Sequence, residues 1–174
     1  MSDDFAHHLR IDRIRDGDRL DLVAPDIERQ ATAERLGLES IQRLEAHAIL
    51  SRKGLAVEAH GRVLASLTQS CVVTGDPMPA CVDEPFDILF TPAPEPARSD
   101  EEVELGPADC DVVFHDGSTI DLGGAIADTL ALSLDPYPRS AGAEAALKEA
   151  GVLSEEQAGP FAALAALKKG SGNS

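Results

Sequence analysis

The sequence predicts an α+β fold: a curved, mostly antiparallel sheet or incomplete barrel, with one helix from the N-terminal half and two or three C-terminal helices. Three observations carry this expectation. Apolar and polar residues alternate along much of the span from Ile41 to Phe90, the period of half-buried strands. Glycine-containing turns punctuate that alternation. A broad apolar stripe with helical spacing appears only after residue 118, so most helical packing surface lies late in the chain.

The elements follow in order. Phe5, His7, Leu9 and Ile11 alternate with Ala6, His8, Arg10 and Asp12 and predict a strand. Asp16-Gly17-Asp18 is a turn, and Arg19 to Val23 can return as a second strand. Pro25 stands at a helix start, with Asp26 and Glu28 in the first turn, where the helix dipole favours negative charge. Gly37 is the natural stop of this helix. Its Ile27, Ala31, Glu34 and Leu38 make no wide apolar stripe, so it is expected to cover a sheet edge or face.

Ile41, Leu44 and Ala46 to Leu50 fit a strand ended by Ser51-Arg52-Lys53-Gly54. Leu55, Val57 and Ala59 continue, past Gly61, with Val63, Ala65 and Leu67. A glycine inside a strand suggests a bulge or bend. Residues 69–90 predict a hairpin turning at Thr74-Gly75-Asp76-Pro77, with Asp87 to Phe90 ending its second strand. Residues 91–107, TPAPEPARSDEEVELGP, are acidic and proline-rich and predict a flexible loop. Asp109 to His115 is a short strand. Ser118 or Thr119 can cap a helix from Ile120 to about Leu134, with Ile120, Ala127, Leu130 and Leu134 on one face and Leu122 and Ile126 flanking it. Residues 142–150 predict a small helix stopped by Gly151, and residues 160–169 a last one behind Pro160. Residues 1–169 are expected to form a single domain, and residues 170–174 a disordered tail.

Aromatic residues are 3% of the chain and Trp is absent, so aliphatic side chains and alanine must fill the core. The N-terminal stretch MSDDFAHHLRIDRIRDGD lacks the apolar core of a signal peptide. No apolar run approaches the ~20 residues that span a bilayer. No membrane association and a cytoplasmic location are therefore expected, and there cysteines stay reduced.

The formal net charge is −16, from 15 basic and 31 acidic residues. Such a surface repels polyanions over about 8 Å at physiological salt, which counts against binding nucleic acid by bulk attraction. The charge is uneven. Ten basic and twelve acidic residues lie at or before Arg62, against five and nineteen beyond it. An anionic partner is expected to meet the first part, through residues such as Arg10, Arg13, Arg52, Lys53 and Arg62, and a basic partner the second.

Cys71 and Cys81 flank the hairpin turn. Centred near Asp76, the loop sets them opposite each other; shifted by one residue, Cys71 faces Ala80. In a reducing compartment they pack as small hydrophobes. Cys110 stands far along, and no pair has the short spacing of a zinc site. His7 and His8 point to opposite faces of one strand. His47 and His60 lie on different strands, and His115-Asp116 reads as turn chemistry. No nucleophile elbow, phosphate loop, dinucleotide fingerprint or HExxH motif is present. No catalytic, cofactor-binding or metal-binding residues are therefore assigned, and the chain is not expected to be an enzyme.

Three stretches taken together, QSCVVTGDPMPACVDEPFDILFTP (residues 69–92), STIDLGGAIADTLALSLDPYPR (residues 118–139) and GPFAALAALKK (residues 159–169), resemble the YceD-like family of large ribosomal RNA subunit accumulation proteins, in its alphaproteobacterial form. The resemblance implies a non-enzymatic ribosome biogenesis factor that promotes accumulation or processing of large-subunit ribosomal RNA. The partners it implies are precursor rRNA, a basic ribosomal protein, or both; an acidic adaptor for such a protein, without RNA contact, is the alternative. Other branches carry a CxRC-like pair where this chain has Cys71-Val72-Val73-Thr74, a departure that removes the resemblance's argument for metal or redox chemistry.

Within the second stretch, Asp135-Pro136-Tyr137-Pro138-Arg139 follows a helix end, and its prolines stiffen it. It either presents Tyr137 and Arg139 to a base, a phosphate or a protein, or packs Tyr137 back on the sheet while Arg139 pairs with an acidic neighbour.

Overall fold

The alternation along residues 40–70 becomes two long strands, and the rest of the main sheet is built on them. The computed structural model describes residues 5–93 and 111–152. Strand β1 is His8–Arg10, followed by a 3-10 turn at Ile11–Arg13; then come β2 (Asp18–Val23), helix α1 (Asp26–Leu36), β3 (Ser40–Lys53), β4 (Ala56–Ser70), β5 (Pro77–Pro92), β6 (Asp111–His115), β7 (Thr119–Asp121), α2 (Leu122–Ser133) and α3 (Ala143–Glu149). The described residues divide into two compact units, one drawn from Met1–Gln69 and Pro79–Pro136, the other from Ser70–Met78 and Tyr137–Ser174.

In the first unit, five strands form an open, mostly antiparallel sheet in the order β2-β3-β4-β5-β6, with β6 parallel to β5. Its inner face is the core predicted by the alternation. Leu44, Ala46, Ala48 and Leu50 of β3, Val57, Ala59, Val63, Ala65 and Leu67 of β4, and Phe86, Ile88 and Phe90 of β5 are all buried. The same cluster takes in Ala33 of α1, Leu122, Ile126 and Leu130 of α2, and Phe5, Ile11 and Ile14 of the N-terminal segment. Eight of its members are alanines, as expected for a chain so poor in aromatics.

Helix α1 forms where proline, acid and glycine signals placed it. Gly37 adopts a left-handed conformation (φ 66°), and its N–H donates to the carbonyls of Ala33 and Glu34. Thr32 is the only buried polar residue of the described chain, and its hydroxyl accepts the Phe5 N–H at 2.9 Å. A donor that burial would orphan is thereby satisfied.

Several expectations are corrected. The N-terminal alternation persists in burial, with Phe5 and Ile11 buried, but the strand is shorter than predicted, His8–Arg10, and gives way to the 3-10 turn. Its partner is β7, with His8 opposite Asp121 and Arg10 opposite Thr119, while Arg19–Val23 pairs with β3. Because β7 occupies Thr119–Asp121, α2 starts later than predicted. Its cap is Asp121, whose Oδ1 accepts the N–H of Gly124 at 3.0 Å and that of His7 at 3.0 Å. Ala127 and Leu130 of the expected face are buried, together with Leu122 and Ile126 that flank it and with Gly123 and Ala125.

Gly61 is not at a bulge: pairing runs through Ala48↔Gly61 without a shift, and the irregularity lies between Ile41 and Arg43. Thr91 and Pro92, expected in the loop, extend β5 by pairing with Phe114 and His115. The hairpin turn sits earlier than either predicted centre, since Cys71 donates its N–H to Asp76 at 2.8 Å. Cys81 instead lies 3.9 Å from Ser66 and is exposed, whereas Cys71 is buried. The remainder of the predicted 91–107 loop, the 160–169 helix and the tail lie outside the described residues.

Candidate nucleic-acid interface

Several of the basic residues concentrated before residue 63 acquire a location from two pairings. β1 is held against β7, and the β3–β4 turn projects Arg52 and Lys53 from one end of the main sheet. Hydrogen bonds made by Ile11, Arg52 and His115 pin these segments around a common cleft. The Ile11 N–H donates to the Ser118 carbonyl at 3.0 Å. Arg52 reaches the Ile14 carbonyl at 3.5 Å and the Gly54 carbonyl at 2.9 Å. His115 accepts the Gly117 N–H at Nδ1 and faces the Leu55 carbonyl with Nε2, both at 2.9 Å, a pattern that fixes the Nε2–H tautomer.

The cleft so enclosed has a volume of about 500 Å³, and its polar lining includes Arg10, Asp12, Arg52, Ser118 and Thr119. An adjoining hollow of about 230 Å³ shares Arg10 and adds His8, Arg13 and Asp18. Asp12 grips Arg10 as a fork, Nε to Oδ1 at 3.1 Å and Nη2 to Oδ2 at 2.8 Å. The hydrogen bond from Arg10 lowers the Asp12 carboxyl below its ordinary range, and the same bond raises the guanidinium. At the rim, Asp116 accepts from the Ser118 hydroxyl and N–H and from the Thr119 N–H. The Ser118 hydroxyl's bond is the main reason its carboxyl is lowered to about 2.

Of the residues predicted to meet an anion, Arg10, Arg13 and Arg52 are therefore brought together. Lys53, next to Arg52, leans on Glu58 at 3.5 Å. Arg62 is not part of the group. It stands opposite His47, five residues along β3 from Arg52 and so roughly 17 Å away at the usual strand rise, and it pairs with Asp83 at 2.7 Å. The roles of Ser118 and Thr119 in lining the cleft were missed; the β1–β7 pairing that places them leaves no local mark in the sequence.

The second unit holds the other candidate stretch. Asp135 and Pro136 end the first unit, and Tyr137, Pro138 and Arg139 open this part of the second. Tyr137 is 71% exposed; Arg139 is exposed and Pro138 buried. The Pro138 carbonyl accepts the Val72 N–H at 2.9 Å.

Next to it the Cys71 sulfur accepts the N–H groups of Ser140 at 3.2 Å and Thr74 at 3.5 Å. Bonds from the Ser140 hydroxyl and N–H and from Thr74 outweigh the opposing push of burial and hold this thiol at about 6, against an ordinary value near 8.5. A group so depressed stabilises the fold fully above its unfolded pKa, and that contribution is lost as pH falls through the folded value. In a chain whose sole thiol is Cys71, ultraviolet titration of the thiolate is expected to show a midpoint near 6, and Ser140→Ala to raise it. A midpoint at the ordinary value would show that the sulfur accepts no such bonds in solution.

No group of three or more His, Cys, Asp or Glu among the described residues is placed to hold a metal ion. No described helix is long and apolar enough to cross a membrane.

No curated protein and no solved structure matches the chain. The model of one protein family, described as large ribosomal RNA subunit accumulation protein YceD, matches residues 59–168. The matched span contains Ser118, Thr119, Cys71 and the Asp135–Arg139 stretch, and leaves Arg10, Arg13, Arg52 and Lys53 outside. It covers more than half of the 174 residues, and the chain belongs to the YceD family.

Proposed function

We propose that this protein is a non-enzymatic, cytoplasmic factor that promotes accumulation of large-subunit ribosomal RNA by touching precursor rRNA directly. The observation that carries this reading is the gathering of Arg10, Arg13 and Arg52, with Lys53 beside them, at one end of a sheet whose chain is otherwise strongly acidic. Phosphate contacts supply most of the affinity of proteins for nucleic acid, and arginine is the side chain whose planar fork matches phosphate oxygens. On an acidic body that repels the polyanion, the end where these arginines gather is the side on which a phosphate finds cations, which favours one orientation of approach. The stiff Tyr137-Pro138-Arg139 segment is a second contact in this reading, with an exposed ring able to stack on a base.

The acidic-adaptor reading draws on a different surface: Glu58, Asp83 and Asp87 lie on β4 and β5, a docking face for a basic ribosomal protein. Cells lacking the protein are expected to show raised precursor large-subunit rRNA and a fall in free large subunits on sucrose gradients. In-cell crosslinking in the wild type is expected to join the chain to that RNA. Normal gradients would remove the function, and crosslinks to a basic protein alone would replace the direct contact with the adaptor.

A further inference from the structure

We propose that the cleft between the 3-10 turn, the β3–β4 turn and the 116–119 turn seats a phosphate of single-stranded RNA between Arg10 and Arg52, and that Asp12 holds the place of this phosphate while RNA is absent. This rests on the direct-contact reading above and gives it an address. The cleft, about 500 Å³, is large enough for a ribose-phosphate unit but too small for a duplex. Two guanidiniums line it from separate elements. The hydroxyls of Ser118 and Thr119, on the strand segment that pairs with Arg10, also line it, 3.1 Å apart, where a 2′-hydroxyl or a phosphate oxygen finds partners.

The Arg10–Asp12 fork reproduces the two-pronged geometry in which arginine binds phosphate. Both side chains are more than half exposed, so the fork costs little to open. An incoming phosphate exchanges with the carboxylate, and the freed Asp12 returns to water. Asp116, at the rim, is already saturated by three donors from Ser118 and Thr119. Arg13 lines the adjoining hollow and Arg52 the cleft itself, so two further cations stand near these acids.

The test is fluorescence anisotropy of a labelled transcript from the precursor of the large-subunit rRNA, titrated with the full-length protein at several salt concentrations. The R10A/R52A double variant is expected to lose roughly tenfold or more in affinity, and the slope of log K against log salt to fall by about one. Ser118→Glu, which adds a carboxylate to the cleft lining and removes no arginine, is expected to weaken binding similarly. Asp12→Asn is expected to tighten binding several-fold, more than Asp87→Asn, which makes the same charge change on β5. Arg43→Ala, on a side chain already forked with Glu45, is the control expected to leave affinity unchanged. Wild-type affinity in the double variant and in Ser118→Glu overturns the cleft while direct RNA contact stands. Equal effects of Asp12→Asn and Asp87→Asn overturn the exchange. A wild-type protein that binds no transcript at all overturns the direct-contact reading itself.

Discussion

Gly61→Ala is expected to cost about 3 kcal/mol or more, and Gly61→Val to leave no folded protein. A Cβ at this position would lie 1.9 Å from the carbonyl oxygen of His47 and 2.6 Å from the Phe86 ring, and real Cβ atoms do not approach either so closely. Relief requires β4 to move away from β3 in the middle of a ladder that pairs from Ser40↔Thr68 to Lys53↔Ala56. Phe86 must also give way, in a core in which it is 5% exposed. Forced overpacking costs about 1–3 kcal/mol, and expelling a buried aromatic ring about 1.5–3 more. Together these approach the whole stability of a small domain, about 5–15 kcal/mol. Urea denaturation measures the effect. Gly142→Ala, whose added Cβ meets nothing within 4 Å, is the control expected to remain near wild type. A Gly61→Ala variant within about 1 kcal/mol of wild type would show that the sheet has slack at this rung.

This glycine also marks the limit of what local pattern reveals. The alternation around it was legible because each strand is buried on one face only, so burial imposes a period of two. The reason for the glycine was not, since the residue that needs the space, Phe86, arrives from another strand. The same distinction separates the other outcomes. Helix α1 could be placed because its signals, Pro25 and Gly37, lie in the chain next to what they terminate. The start of α2 was misplaced because Thr119–Asp121 is claimed by β1, more than a hundred residues earlier, and a three-residue strand has no period to detect. At the candidate site, a surplus of arginine before residue 63 could be counted. The exclusion of Arg62 follows from register, and the meeting of Arg10 with Arg52 from the long-range bonds of Ile11 with Ser118 and of Arg52 with Ile14. The hairpin turn went wrong by a similar mechanism: Gly75-Asp76-Pro77 has strong turn chemistry, but the chain reverses a little earlier, closed by the bonds between Cys71 and Asp76 and between Gly75 and Cys71.

The N-terminal segment connects stability to the proposed contact, and Gly123→Ala is expected to break that connection without unfolding the sheet. Gly123 lies in the first turn of α2, where the backbone of Phe5 to His7 passes so close that an added Cβ would stand 2.7 Å from the Phe5 carbonyl oxygen and 2.7 Å from the His7 nitrogen. Backbone cannot yield as a side-chain tip can, so the whole segment must lift. It is held by the three pairs of β1 with β7, the Leu122–His7 bond, the Asp121 carboxylate and the Thr32 hydroxyl. Lifting it exposes Phe5, worth about 1.5–3 kcal/mol, and orphans bonds worth about 1 kcal/mol each. The main sheet keeps its own ladder and most of its apolar face, so the loss is expected to be local. Amide hydrogen exchange should speed up at Leu9 and Ile11 while the β3 and β4 amides stay protected. Because Arg10 travels with this segment, affinity for the precursor transcript should fall with the lost protection, although no arginine has been changed. Unchanged exchange at Leu9 and Ile11 would mean that α2 absorbs the extra methyl by shifting on the core. Faster exchange with undiminished RNA affinity would mean that Arg10 does not need its place on β1 to meet a phosphate.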